Sequence, residues 1–155
     1  MTLKEVAQIC VLIRKTTFAW KNETDDEFEN VIKIWHELLK DVPFDMAMKA
    51  TTDYLKDSSY PPTVADIYKP YKEYLEEQKQ LKREYNNIYY TAISFYPCYQ
   101  DTPELKNEWN RLCGNNIPKA NKLQNKIVNF VRERELADEY IPPILEWMKG
   151  LEKIE

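Results

Sequence analysis

Two glycines, one histidine and three cysteines are all this 155-residue chain carries of three residue types on which much of protein chemistry rests. With only Gly114 and Gly150 available, multi-hairpin β folds and glycine-lined phosphate cradles are disfavoured, because both need residues that accept positive φ. Neither glycine is followed by Lys-Ser or Lys-Thr, so no Walker A sequence exists and the ATP-hydrolysing type of P-loop protein is excluded. A single histidine, His36, leaves a histidine-based metal cluster or a catalytic triad short of members. Placed between Trp35 and Leu38, it reads as a half-buried helix residue. Cys10, Cys98 and Cys113 are odd in number, far apart and lack Cys-x-x-Cys spacing, the pattern of reduced cytosolic thiols rather than of a disulfide framework. The apolar stretch 9–13 is far too short to cross a membrane, and no signal peptide is expected.

What is present is apolar and helical in pattern. Hydrophobic residues make up 43% and aromatic residues 13% of the chain, enough to bury a core and to exclude wholesale disorder. Thr2 with Glu5 and Thr24 with Glu27 are capping boxes that open two helices. The first carries Leu3, Val6, Ile9, Cys10 and Ile13 on one face. The second carries Phe28, Val31, Ile32, Trp35, Leu38 and Leu39. Asp25-Asp26-Glu27 reads as first-turn acid complementing the helix dipole, with cation binding as the alternative. A third helix starts near Pro43, with Phe44, Ala47, Ala50, Tyr54 and Leu55 as its stripe.

The run Tyr60-Pro61-Pro62-Thr63-Val64-Ala65-Asp66-Ile67 then makes a fixed corner. Two prolines stop the preceding helix, and Thr63 caps a new one, with Asp66 near its positive end. This fourth helix is expected to be short, about 63–68, and to close before Pro70. Tyr60, Pro61, Pro62 and Thr63 form the structural corner.

From 71 to 95 the pattern is one long helix. Tyr74, Leu81, Ile88 and Phe95 alternate with Gln78, Tyr85 and Ala92 at heptad spacing, a seam that serves either the protein's own core or a dimer. Pro97 ends it. Thr102-Pro103 opens a helix with Leu105, Trp109, Leu112 and Cys113 inward and Gly114 at the stop. Asn116-Ile117-Pro118 opens another, with Ala120, Leu123, Ile127, Phe130 and Val131 inward. Tyr140-Ile141-Pro142-Pro143 breaks it before a final apolar turn.

Charge is uneven. The whole chain is −4, which argues against a nucleic-acid coat, yet residues 105–134 hold seven basic side chains against two acidic, a local +5. Lys119, Lys122 and Lys126 share one helical face that meets phosphate, an acidic partner or only solvent. The terminal segment crowds Tyr140, Ile144, Leu145, Trp147 and Met148 around two prolines. A helix this short is marginal alone, so its apolar face must pack, either on the chain's own C-terminal unit or in a partner's groove.

The first 70 residues resemble the N-terminal domain of the replicative-helicase loader and inhibitor proteins of bacteriophages that infect Gram-positive bacteria. The likeness lies in the hydrophobic first helix, Trp35, Val42-Pro43-Phe44, Tyr54-Leu55 and the proline corner. The resemblance implies a non-enzymatic adaptor with no cofactor. Such a protein binds the hexameric replicative helicase, holds it inactive and releases it at the phage origin, with a C-terminal segment making the helicase contact. Residues 71–155 depart from the family's tail, being long, aromatic and folded in pattern.

The expected architecture is all-α: a four-helix N-terminal bundle over 1–70, a long connecting helix over 71–96, and a C-terminal helical unit over 97–155. The expected protein is cytoplasmic in a bacterial host, a monomer or dimer, and makes no membrane contact. Its partner is the replicative helicase or a helicase-loader protein of phage or host. Tyr140, Ile144, Leu145, Trp147 and Met148 are the expected partner-binding residues. The alternatives are a nucleic-acid-binding protein that takes single-stranded DNA weakly through residues 105–134, or a protein that acts on another host target.

Overall fold

A computed structural model describes residues 1–97 and 100–154. The expected free thiol Cys98 lies outside them. Among the described residues the chain is all-α, with seven helices and no strand. It divides into two compact units, Met1–Glu77 and Gln78–Glu155.

The first unit contains α1 (Leu3–Thr16), α2 (Asp25–Leu39), α3 (Phe44–Asp57) and the start of α4 (Val64–Ile93). Both expected capping boxes form. Glu5 N–H donates to Thr2 Oγ1 at 3.3 Å while Thr2 N–H donates to Glu5 Oε2 at 2.7 Å, and Thr24 and Glu27 repeat the arrangement. Each box satisfies two backbone donors that a helix start leaves unpaired. Val6, Ile9, Cys10 and Ile13 of α1 then meet Phe28, Trp35 and Leu39 of α2, with Val42, Ala47 and Ile67 completing the core. Fully burying one such aliphatic side chain stabilises the fold by roughly 1.5–3 kcal/mol. Pro43 is the N-cap of α3 rather than its first residue, and it supplies no side-chain bond.

The short fourth helix expected over 63–68 and the connecting helix expected from 71 are one helix, Val64–Ile93, with Pro70 inside it. Proline removes one helical donor, here the one that would meet the Asp66 carbonyl. Pro70 and Asp66 are both exposed, so water can satisfy that carbonyl and the helix passes through.

The second unit packs the later part of α4 with α5 (Pro103–Cys113), α6 (Ile117–Ala137) and α7 (Ile144–Lys149). Its core joins Tyr85, Tyr89, Ala92 and Ile93 of α4 to Leu105, Trp109, Leu112 and Cys113 of α5 and to Ala120, Leu123, Ile127 and Val131 of α6. On α4 the inward positions 85, 89, 92 and 93 follow the helical period into this core and Tyr96 joins them, whereas Tyr74, Leu81 and Phe95 of the heptad pattern stay exposed. The helix ends at Ile93, before Pro97, and residues 94–97 turn. Thr102 and Asn116 cap α5 and α6, and Gly114 at φ 58° stops α5, as the sequence signals. The stop of α6 differs. It falls at Asp138, which takes the left-handed conformation at φ 55° and returns its N–H to Arg134 and Glu135, ahead of the prolines. Aspartate is one of the few residues besides glycine that visits this region readily.

Candidate functional site

The proline corner is built as its residues dictate. Pro62 is buried, and Thr63 begins α4 through a reciprocal pair. Asp66 N–H donates to Thr63 Oγ1 at 3.3 Å, while Thr63 N–H and Oγ1–H donate to Asp66 Oδ2 at 2.8 and 2.7 Å. The Thr63 hydroxyl and then its N–H hold the Asp66 carboxyl below its usual range. Tyr60, by contrast, is exposed and packs into no core.

Around this joint the first unit leaves apolar side chains uncovered. Ile34 (59% exposed) and Leu38 (56%) lie one turn apart on α2, and Phe18 stands out from the α1–α2 connection with Lys21 over its ring. Trp20 in that connection takes φ 55°, a conformation a bulky residue reaches only when packing holds it. The holding contacts are Trp35, edge-on at 5.3 Å, and Phe28 at 5.8 Å. No pattern in the sequence signals that bend.

The five terminal residues expected to meet a partner do not share one surface. Ile144 and Met148 are buried in the second unit's core, and Leu145 and Trp147 pack half-buried against it. Trp147 sits 4.9 Å from the Phe130 ring and 6.1 Å from that of Tyr96. Only Tyr140 is open, at 78% exposure, together with Leu136 at 89%, which the sequence reading passed over. The physical reason is length: a six-residue helix holds its shape only by packing, and the nearest apolar surface is its own unit's.

The basic segment is likewise divided. Arg111 is spent on structure, pairing with Glu108 at 2.6 Å and donating to the Leu151 and Met148 carbonyls at 3.0 and 3.4 Å. Arg134 pairs with Glu139 at 2.7 Å and lies over the Phe130 ring. Lys122 and Lys126 are exposed and Lys119 is half-buried, all on α6 at the three-and-four spacing that puts them on one side.

A cleft of about 900 Å³ opens in the second unit between α4, α5 and the start of α6. It escaped the sequence reading because its carboxamides come from three separate segments. Burial pushes the Cys10 and Cys113 thiols up to about 12, which makes them poor nucleophiles. Among the described residues no group of three or more potential metal ligands comes together. No described helix is long and apolar enough to cross a membrane.

Residues 1–68 match the model of the N-terminal domain of a phage helicase loader and inhibitor family. The resemblance read from the first 70 residues is thereby borne out. The matched span falls inside the first unit and covers less than half of the chain. No curated protein and no solved structure matches.

Proposed function

We propose that this chain is a phage DNA-replication adaptor that binds the replicative helicase or its loader and controls helicase loading in the cytoplasm of a bacterial host. The observation that carries this reading is the match of residues 1–68 to the N-terminal domain of the loader and inhibitor family. The protein acts by occupancy. It covers a subunit interface or the nucleic-acid path of a ring-shaped ATPase and needs no catalytic group of its own.

The surface of the first unit supports this reading. Ile34 and Leu38 form an exposed apolar pair among Lys33, Glu37 and Asp41, the arrangement of an apolar anchor within a charged rim. The terminal segment contributes through Tyr140 and Leu136, because Ile144 and Met148 are committed to the core.

The test is binding of the full-length chain to a purified hexameric helicase from a Gram-positive host or its phage. Ile34→Glu with Leu38→Glu should weaken the complex at least tenfold and leave the melting curve in place. Tyr140→Ala with Leu136→Ala should weaken it less. Unchanged affinity in the first pair would remove α2 from the interface.

A further inference from the structure

We propose that the cleft of the second unit binds a nucleotide unit of single-stranded DNA, taking its phosphate on Lys82 and Lys106 and its base edge on a ring of carboxamides. This proposal does not rest on the helicase reading, since the cleft lies wholly within residues 78–155, outside the matched domain.

The lining is chemically one-sided. Gln78, Asn86, Asn110, Asn115 and Asn116 bring five carboxamides, Lys82 and Lys106 bring two cations, and no carboxylate lines the cleft. Carboxamides both donate and accept, as nucleobase edges do, and asparagine and glutamine are the side chains that pair with such edges. A volume of about 900 Å³ is ample for one nucleotide.

Asn110 is also oriented in advance. The hydroxyl of Tyr85, itself buried, donates to Asn110 Oδ1 at 3.0 Å. That bond consumes the acceptor side of the amide, so the Nδ2 group, with two donor protons, is what Asn110 offers to a ligand. Lys106, one turn earlier on α5, lies over the Tyr89 and Tyr90 rings at 5.7 and 5.8 Å, and neither it nor Lys82 is in an ion pair among the described residues. Oriented amide donors and two unneutralised cations call for an anionic ligand rich in acceptors.

A polyanion fits better than a point anion. The cleft is bordered by Ile117 and Pro118 at the start of α6, and Lys119, the next residue, begins the basic side of that helix. From Lys119 to Lys126 the axis rises about 10 Å, so a strand leaving the cleft along α6 keeps meeting positive charge.

The test is fluorescence anisotropy of a labelled 20-mer of thymidylate with the full chain in about 50 mM salt. Asn110→Asp keeps the acceptor for Tyr85 and replaces the donors by a negative charge, so it separates binding from folding. Asn110→Asp, and Lys82→Gln with Lys106→Gln, should each weaken binding at least tenfold with unchanged melting curves. The double lysine variant should also reduce the slope of log affinity against log salt by about 1.4, the single-strand value for two lost phosphate contacts. Competition by ATP as well as by unlabelled thymidylate would support the site with free nucleotide as its source, while competition by the oligonucleotide alone supports the strand. Three results overturn the proposal: no binding of oligonucleotide or ATP, equal competition by poly-glutamate, or binding that survives these variants but is lost in Lys119→Glu with Lys122→Glu.

Discussion

The backbone N–H of Ile154 donates to the carbonyl of Leu112 at 3.3 Å, which fastens the end of the chain to α5. Ile154 is itself buried, and Arg111 on the same helix reaches back to the Leu151 carbonyl. The terminal segment is thus a wall of the second unit's core. Truncation after Glu139 removes Ile144, Met148 and Ile154 together and should abolish the cooperative melting of that unit. Met148→Ala, which empties a fully buried site, should cost about 2–5 kcal/mol in chemical denaturation. A truncated chain with an unchanged melting profile would show that the segment does not pack there.

Thr63→Ala removes the cap at the proline corner. The expected loss is about 0.5–2 kcal/mol, the usual cost of a threonine N-cap, with the fold retained. Thr63→Ser should recover most of it, since the hydroxyl makes the bond. Equal melting curves for wild type and Thr63→Ala would remove the cap from the account.

Acid should loosen the first unit. Hydrogen bonds from the Thr2 and Thr24 N–H groups, and then from their hydroxyls, hold Glu5 and Glu27 below the usual 4.5, and Thr63 holds Asp66 below 3.8. A carboxylate whose folded value is depressed contributes stability that is present above its unfolded value and is lost as pH falls through the folded one. Stability of the first unit should therefore be level above about pH 5 and should decline as pH falls below 4.5 and then 3.8. Glu5→Gln with Glu27→Gln should flatten that decline, as followed by helical circular dichroism of the full chain. An identical acid limb in the variant would contradict the capping account.

Local signals were legible in the sequence because their physics is local. A capping box joins residues three apart, and Thr2, Thr24, Thr102, Asn116 and Gly114 all act as read. Signals that depend on surroundings were not. Pro70 reads as a stop, yet an exposed carbonyl tolerates the missing donor. The apolar end of the chain reads equally as ligand or as core, and only the packing of Ile144 and Met148 decides. The cleft around Asn110 depends on three helices meeting, which no spacing along the chain reveals.

Thiol labelling probes both cores. Burial pushes Cys10 and Cys113 up to about 12, so in a Cys98→Ser background both should react with a disulfide reagent at about pH 8 only as the protein opens. Labelling should be at least a hundredfold slower than in denaturant. Rapid labelling of either in the native state would show that its core is not closed.

The central claim is that this chain binds a replicative helicase and controls its loading, and the most direct measurement is the mass of the mixture. The full-length chain and a hexameric helicase from a Gram-positive host or its phage, mixed with nucleotide, are resolved by size-exclusion chromatography with light scattering. The same mixture is then assayed for loading onto single-stranded DNA. The account predicts a defined complex in which loading is suppressed, weakened by Ile34→Glu with Leu38→Glu. Separate elution of chain and helicase under all nucleotide states, with loading unaffected, would contradict it.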